Sequence, residues 1–491
     1  MTGENPSTHQ KARRINLDAR IHGTFAEIGA GQEVARWFFH VGGAAATVAK
    51  TMSAYDMAVS DAIYGPSDRY VSRHRLQSML AYEYDLLMQR LGEKRGRATN
   101  FFVFADSVAA RSYGRPEEGH GWIGIRFQHE PLAAPSDVLL HARLRDTENV
   151  REQEALGVLG VNLTYGAFYH RDDPTTLIRS LMDDLSGDRI EIDMMKLQGP
   201  AFGHVDNRLV SLQLVEQGFT EAAMFTADGE VVQPGEVLHQ KPVLIERGSF
   251  RPVTKPTIHM LRSATAQFAG GLAPADDPPM VIMEMSLRNL LSGDHVDHTD
   301  FLARADVLGA LGETVMISNY SAYYPVPAYL RRYTKKPLAF ALGIPTLGEL
   351  FDEQYYAELP GGLLQAFGNL FQVGVHLYVY PMRDEDTGAL TTVENLRVAP
   401  HLRHVYAHLV ENGRIVPIQN VNEDDLHILP RDVLAKIQSR DPSWETMVPE
   451  AAIPMIRDRD LFQAQPVTGS GSGHTSLRPR PRKPRRKQRQ P

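Results

Sequence analysis

Between residues 280 and 381 the sequence alternates short apolar runs with segments of helical spacing, and this alternation constrains the fold more than any other feature. The apolar runs at residues 280–285, 314–317, 338–342 and 375–380 are too short and too apolar for surface helices, so they predict buried strands. Helical spacing between them predicts a βαβ series and therefore a parallel sheet.

The helices predicted between these strands cover residues 300–311, 327–333 and 347–371. A capping box formed by Thr346 and Glu349 precedes the last of them. In a parallel sheet, ligands bind beyond the carboxyl ends of the strands, where helix N-termini offer free N–H groups to anions. The polar and glycine residues expected at this edge are Ser318, Asn319, Ser321, Gly343 and Thr346.

A second set of alternating elements is predicted before residue 272. Strands are expected at residues 101–104, 118–128, 137–144, 156–163, 189–195, 221–225 and 243–246, and helices at residues 174–185 and 207–217. The last strand is followed by Arg247, Ser249 and Arg251, whose side chains predict an anion-binding loop. The alternative is that Arg247 and Arg251 pair with acids such as Glu246, Asp193 or Glu284.

The segment before residue 100 is predicted to be mostly helical, after a disordered stretch up to residue 16. Helices are expected at residues 33–41, 42–63 and 71–91. Gly29 and Gly31 approach a dinucleotide-binding motif, but Val34 replaces its third glycine, which favours a plain helix start. His120, Arg126 and His141 lie on predicted strands, where hydrogen-bonded core or edge residues and functional groups are both possible.

These patterns predict an α/β protein with a helical N-terminal region and two βαβ-type halves with mostly parallel sheets. The predicted segments are a disordered N-terminus (1–16), the helical region (17–100), a first half (101–272), a second half with C-terminal docking elements (280–465) and a disordered basic tail (466–491). The stretch at residues 273–279, APADDPP, is the predicted linker between the halves.

Composition excludes several classes of protein. Cysteine is absent, which rules out disulfides, thiolate catalysis and iron–sulfur clusters. An N-terminus without an apolar core and the lack of a long apolar run predict a cytoplasmic protein that does not cross a membrane. The net charge is −7, and removing the eight Lys or Arg between Arg478 and Arg489 leaves −15 for the rest. Two roles for the tail are therefore open, which are contact with nucleic acid or an acidic protein and solubility alone.

The densest group of potential metal ligands is Asp294, His295, Asp297, His298 and Asp300. Histidine and carboxylate ligands suit zinc, manganese or iron, although the spacing matches no established motif. The same acids would also begin a helix well. A helix cap is the preferred interpretation, and no metal ligand is assigned.

The chain resembles an uncharacterised group of bacterial proteins of similar length. The resemblance covers most of residues 25–380 and includes the stretches FAEIGAGQEVARWFF, HGWIGIRFQ, RIEIDMM, VDNRLVSLQLVEQG and ERGSFRPVT. Members of this group carry the names TonB-dependent receptor and nicotinate-nucleotide adenylyltransferase. The residues support neither name, because barrel-like strand alternation and the H-x-G-H phosphate motif are both missing. The resemblance implies a defined fold rather than a chemistry.

The function predicted from these features is that of a cytoplasmic enzyme or binding protein for an anionic small molecule, such as a nucleotide or phosphorylated metabolite, held between the two halves. Arg247, Ser249, Arg251, Ser318, Asn319 and Thr346 would bind it. Asp193, Glu284 or His298 would supply a general acid or base. The alternatives are a non-enzymatic scaffold or assembly protein whose basic tail contacts nucleic acid or acidic partners, and a metal-dependent hydrolase using His295 and His298. A homo-oligomer is compatible with each of these functions. No cofactor is indicated.

Overall fold

The computed structural model describes residues 6–111, 118–292, 295–384 and 387–463. The predicted basic tail at residues 466–491 and Asp294 lie outside these ranges. Two main sheets organise the chain, and helices cover their faces. The α/β class with two halves is confirmed.

The first sheet has six strands in the order β2-β1-β3-β4-β5-β6. β1 pairs parallel with β2 and β3, and the remaining neighbours pair antiparallel. Its strands are β1 Ile21–Gly29, β2 Val48–Ala54, β3 Asn100–Ala109, β4 Gly119–Phe127, β5 Ser136–Leu144 and β6 Ile190–Gln198.

The second sheet has eight strands in the order β18-β15-β14-β9-β10-β13-β7-β8. All neighbours from β18 to β13 are parallel, whereas β7 and β8 join antiparallel at one edge. Its strands are β7 Ala222–Phe225, β8 Val231–Val232, β9 Val243–Arg247, β10 Met280–Ser286, β13 Thr314–Ser318, β14 Leu338–Gly343, β15 Val375–Tyr380 and β18 Ile415–Pro417. Two short pairs are β11 Leu291–Ser292 with β12 His295–Val296, and β16 Met382–Arg383 with β17 Leu390–Thr391.

The α-helices of the described residues are α1 Thr8–Leu17, α2 Val34–His40, α3 Ala44–Thr47, α4 Met57–Tyr64, α5 Arg73–Arg95, α6 Asn149–Tyr169, α7 Pro174–Ser180, α8 Asn207–Glu216, α9 Pro234–Leu238, α10 Lys255–Gly270, α11 Leu287–Leu290, α12 His298–Ala310, α13 Val326–Leu330, α14 Ile344–Leu350, α15 Gly362–Leu370, α16 Arg403–Glu411, α17 Pro430–Gln438 and α18 Ala452–Asp458. Across the ranges described, no helix combines the length and apolar character needed to span a membrane.

Three apolar clusters hold the layers together. One fills the face of the first sheet that α2 and α6 cover, and another fills the face of the second sheet that α13 to α16 cover. The third joins the two halves, because it contains Met79 of α5 and Trp122 of β4 together with Met283 of β10. Burial of this shared surface, at about 25 cal/mol per Å², stabilises the contact between the halves.

Four local predictions differ from the structure. Residues 8–17 form α1 instead of a disordered stretch, because Lys11 is buried with its ammonium group 2.6 Å from Asp183. The N-terminal region contains helices as predicted, and also contributes β1 and β2. In place of one helix over residues 42–63, the edge strand β2 separates α3 from α4. Pairing of β2 with β1 overrides the helix propensity of its small residues.

The other two differences concern single predicted elements. Residues 156–163 belong to the helix α6 rather than to a strand. The helix expected over residues 347–371 is divided into α14 and α15. The segment between them contains Pro360, which cannot donate a hydrogen bond, and α15 begins at Gly362, whose φ is 53°. α14 begins after Gly343, so Thr346 lies inside the helix and does not cap it.

Candidate functional site

A cavity of about 540 Å³ lies between the first sheet and the loops that precede β9 and β14. Its walls come from the start of β4, the end of β5, the segment before α5, the start of α9 and the residues that follow α13. This volume is typical of sites for small molecules.

A chain of three side chains leads from the protein interior to this cavity. The Nδ1 atom of His141 lies 2.6 Å from Oδ1 of Asp193, and its Nε2 atom lies 3.1 Å from Nδ1 of His120. Asp193 is fully buried and His141 is 4 % exposed, whereas both histidines line the cavity. We refer to these three residues as the Asp–His–His chain.

The direction of the hydrogen bonds assigns the tautomers of the two rings. With both rings neutral, His141 donates its Nδ1 proton to the carboxylate of Asp193, which only accepts, and keeps a lone pair on Nε2. Nδ1 of His120 then donates to that lone pair. The remaining nitrogen of His120, Nε2, carries a lone pair and has no partner among the described residues.

A β-bulge directs Asp193 towards His141. His141 is the register partner of Met194 and Ala142 is the partner of Ile192, so Asp193 is an extra residue in β6. A bulge of this kind re-aims a side chain that regular pairing would place elsewhere. The second oxygen of Asp193 accepts a hydrogen bond of 3.1 Å from Nε2 of Gln233, whose Oε1 accepts from the N–H of Glu236. Gln233 therefore fixes the carboxylate to α9.

The surroundings of the Asp–His–His chain determine the charge states of His120 and Asp193. Burial, the His141 ring and Arg143 lower the pKa of His120 to about 4, although Asp193 opposes this, so the ring is neutral at neutral pH. Burial favours a protonated Asp193, but the His141 ring and the Gln233 amide outweigh it and hold the pKa of Asp193 below its usual value. The carboxylate is therefore ionised, and it can stabilise a positive charge on His141.

The cavity carries an excess of positive charge. Five cationic side chains line it together with only two carboxylates, which are Glu118 and Glu236. The cationic residues are Arg69, Arg143, Arg331, Arg332 and Lys335. Arg69 makes no side-chain hydrogen bond or ion pair with another described residue, and Lys335 bonds only to the carbonyl of Arg331 at 3.2 Å. Among the described residues, no acid neutralises Arg69 or Lys335, whereas Arg143 pairs with Glu118 at 2.7 Å and Arg332 lies 3.6 Å from Glu191.

Arg143 lies next to the open histidine. His120 and Arg143 are register partners on β4 and β5, and such cross-strand neighbours have Cβ atoms about 5 Å apart. The guanidinium donates to the hydroxyl of Tyr333 at 3.1 Å and to Glu118 at 2.7 Å. Burial, with the nearby Asp193 carboxylate, raises the pKa of Tyr333, so this hydroxyl stays protonated and positions Arg143.

The N-terminus of the 23-residue helix α5 meets the same cavity. Ser72 lines the cavity and caps the helix, since its hydroxyl accepts from the N–H of Arg75 at 3.2 Å. The partial positive charge of a helix N-terminus adds to the cationic side chains. Helix and side chains together make this cavity suited to an anion.

Of the residues predicted from sequence, Asp193 belongs to this site. Arg247, Glu284 and Ser318 meet in a separate network at the carboxyl ends of β9, β10 and β13. Arg247 forms two hydrogen bonds of 3.0 and 2.6 Å with the carboxylate of Glu284, which also accepts from the hydroxyl of Ser318 at 2.6 Å. Because Glu284 is fully buried and the Arg247 side chain is only 6 % exposed, this network is closed to solvent and to a ligand.

The other predicted ligand-binding residues do not join these networks. Arg251 pairs with Asp300 at 2.6 Å, so the pairing alternative describes both arginines better than anion binding does. Ser249 is exposed, and its carbonyl accepts from Arg304. Asn319 is exposed at the end of β13, and Thr346 is half-buried in α14. The anion-binding loop predicted after β9 is therefore occupied by internal ion pairs.

His298 is the first residue of α12, and its Nε2 atom lies 3.4 Å from Glu216. Asp297 caps this helix by accepting from the N–H groups of Thr299 and Asp300, as the helix-cap interpretation expected. Asp294 lies outside the described residues. Within the described ranges, no group of three or more His, Asp or Glu side chains is arranged to hold a metal ion.

Several residues of the cavity were missed by the sequence interpretation. His120 and His141 were considered only as isolated polar residues, since their proximity depends on the pairing of β4 with β5. The basic run RRYTKK at residues 331–336 is a sequence signal that points to three of the cationic side chains. Gln233 and Arg69 carry no comparable signal. Arg126 is also explained, because it forms two hydrogen bonds of 2.8 Å with Asp137.

The fold and this cavity define an α/β protein with a cationic site between two sheets. No protein-family model matches the chain, and no curated protein matches it. Solved structures overlap it weakly. The competence/damage inducible protein CihA from Agrobacterium tumefaciens is 18 % identical, with 33 % of this chain and 97 % of that chain covered and a TM-score of 0.24.

A second overlap is with a CinA superfamily protein from Enterobacter cloacae, which is 13 % identical over 34 % of this chain and 93 % of that chain, at a TM-score of 0.24. Nicotinic acid mononucleotide adenylyltransferase from Plasmodium falciparum is 10 % identical over 45 % of this chain and 97 % of that chain, at a TM-score of 0.27. At such TM-scores these overlaps carry no weight for the fold or the function.

Proposed function

We propose that the protein is an enzyme that binds a phosphorylated small molecule, of the size of a nucleotide, in the cavity between the two sheets. The observation that carries this proposal is the convergence of five cationic side chains on a cavity that also contains an unpartnered histidine nitrogen. A polyanion neutralises the excess charge, since guanidinium and ammonium groups bind phosphate through charge-assisted hydrogen bonds.

The Asp–His–His chain supplies the chemistry. His120 presents its Nε2 lone pair to the ligand, while Asp193 stabilises positive charge that passes to His141. Arg143 and the N-terminus of α5 stabilise negative charge on the ligand. The function expected from sequence, a protein for an anionic small molecule, is thus kept, but its proposed binding residues are different.

Calorimetric titration with inorganic pyrophosphate, AMP and ATP tests the binding step. Arg69→Gln and Lys335→Gln each remove one cavity cation whose side chain is exposed, so folding is unaffected. A hydrogen bond to a charged group contributes about 1.5–3 kcal/mol. Each variant should therefore bind the preferred phosphate compound about tenfold more weakly than the wild type.

Arg13→Gln is the matched control, because Arg13 is exposed on α1 and does not line the cavity. It changes the net charge by the same amount and should leave the affinity unchanged. Equal losses of affinity in all three variants would show that net charge alone causes the effect, and would contradict a specific site. Lack of binding of every phosphate compound by the wild type would also reject the proposal.

A further inference from the structure

The open nitrogen of His120 is fixed for reaction with an electrophile. Its ring is held by the hydrogen bond of 3.1 Å to His141, which keeps the proton on Nδ1 and the lone pair on Nε2. Ring centroids 5.3 Å apart and an angle of 43° between the two planes describe the contact between the imidazoles. The lone pair at the cavity can act as a base or as a nucleophile.

The surroundings of His120 favour a nucleophile over a base. A general base works best when its pKa lies near the working pH, whereas burial, the His141 ring and Arg143 lower the pKa of His120 to about 4. A ring that stays unprotonated keeps its lone pair available for bond formation. The hydroxyl of Ser72 in the same cavity is already engaged, since it donates to the carbonyl of Arg69 at 2.8 Å and caps α5.

The charges beside His120 identify phosphorus as the electrophile. Phosphoryl transfer spreads negative charge over three oxygens of the transferred group, and cationic groups around that group stabilise it. Arg143 is the cross-strand neighbour of His120 and is already oriented by Tyr333. Arg332, Lys335 and Arg69 line the same cavity. A phosphoryl group on His120 would therefore share the cavity with four cationic side chains.

We propose that His120 is phosphorylated on Nε2 by a phosphoanhydride bound in the cavity, such as a nucleoside triphosphate. This inference rests on the proposed function and specifies its reaction. The Nε2 lone pair forms the N–P bond with the terminal phosphorus, and the bridging P–O bond breaks with its electron pair remaining on the oxygen of the leaving group, which for a nucleoside triphosphate is the nucleoside diphosphate. The diphosphate is a stable anion and requires no general acid.

The proton transfers that accompany phosphorylation explain the role of the Asp–His–His chain. When Nε2 bonds to phosphorus, the ring of His120 becomes positively charged, and its Nδ1 proton passes to Nε2 of His141. The resulting cation lies 2.6 Å from the carboxylate of Asp193, which stabilises it. Water then attacks phosphorus, the N–P electron pair returns to Nε2, and His141 gives its proton back to Nδ1. One proton of that water is released with the phosphate.

The test exposes the full-length protein to ATP radiolabelled at its γ-phosphate and, separately, to radiolabelled pyrophosphate, the smallest phosphoanhydride. The expected result, when alkali stops the reaction before the first hydrolysis, is up to one phosphoryl group per chain, labile in acid and stable in alkali. Mass spectrometry of wild-type peptides should locate it on His120. His120→Gln should abolish the label, and Asp193→Asn should slow its formation at least about tenfold by removing the charge that stabilises His141.

His40→Gln is the control, because His40 is exposed at the end of α2 and is not a cavity residue. It should be labelled like the wild type. A label on another residue, or equal labelling of His120→Gln, would overturn the inference, and so would a wild type that acquires no label from either donor. If pyrophosphate binding persists without labelling, phosphorylation fails while the proposed function stands. If the wild type neither binds pyrophosphate nor acquires the label, the proposed function and the phosphorylation of His120 are both rejected.

Discussion

Glu27 and Asp106 are register partners on β1 and β3, and both carboxyl groups are buried. Oε1 of Glu27 accepts a hydrogen bond of 2.7 Å from the N–H of Val34. Burial nevertheless dominates and raises the pKa of Glu27 to about 7, while burial and Glu27 raise the pKa of Asp106 well above its usual value. The pair therefore holds at least one proton below neutral pH.

This pair predicts a stability that falls as the pH rises. An unfolded Glu ionises near pH 4.3, whereas folded Glu27 keeps its proton up to about pH 7, so the folded state binds more protons in this window. The free energy of unfolding should decrease through that window, by on the order of 3 kcal/mol. Glu27→Gln should flatten much of this decrease, because the neutral amide still accepts from Val34.

Melting temperatures measured between about pH 5 and about pH 8 check this expectation. The wild type should lose several degrees over the interval, and Glu27→Gln should lose clearly less. Glu411→Gln, at the exposed end of α16, is the control and should follow the wild type. If Glu27→Gln declined as steeply as the wild type, another group would have to cause the pH dependence.

At the scale of single residues, the sequence led to Asp193 but not to its partners. A carboxylate on a buried strand is visible in the sequence, whereas the bulge that aims it at His141 is a property of strand pairing. For the arginines after β9, the sequence allowed both anion binding and pairing with acids such as Glu284. Their residue types suit anions, but Glu284 and Asp300, distant in sequence, already neutralise them.

Among the elements, α6 depends on glycine for its contact with α2. A Cβ atom built on Gly160 would lie 2.3 Å from Cγ2 of Val34, which is 1 % exposed at the start of α2. Gly160→Ala should destabilise the protein by about 1–3 kcal/mol, because a stiff β-branched side chain must move. This loss should exceed the gain of up to about 1 kcal/mol that alanine brings to a helix.

Gly368→Ala provides a matched comparison for that prediction. Gly368 is exposed in α15, and a Cβ atom there would meet nothing within 4 Å. Only the helix propensity then changes, so this variant should be as stable as the wild type or more stable. Chemical denaturation of both variants measures the difference. Equal stability of the two variants would show that α2 can move away from α6 without cost.

The same helix shows why some elements could not be predicted from sequence. Every residue of α6 from Ala155 to Phe168 is buried, so the segment lacks the amphipathic period that distinguishes a surface helix from a strand. β2 is the reverse case, since its small residues favour a helix and only pairing with β1 makes them a strand. The strands of the second sheet could be predicted because helices cover both faces of a parallel sheet. Such strands are buried on both sides and appear in the sequence as short continuous apolar runs.

At the scale of the whole molecule, the second sheet crosses the linker predicted at residues 273–279. β7, β8 and β9 precede that linker, whereas the remaining strands of the sheet follow it. β9 is the strand between β14 and β10 and pairs with both. Without it, the strands after the linker would form two separate pieces with unpaired edges. A division between β6 and β7, for example in the loop at residues 217–221 after α8, leaves both sheets whole.

Two fragments that differ only in their starting point test where the second half begins. A fragment of residues 222–463 contains all eight strands and should unfold in one cooperative transition, although loss of its contact with α5 lowers its stability. A fragment of residues 280–463 lacks β9 and should aggregate or melt without a sharp transition, because its two sheet pieces cannot bury their faces. Circular dichroism during heating distinguishes these outcomes. A cooperative transition of the shorter fragment would instead place the boundary at the predicted linker and make β9 dispensable for folding.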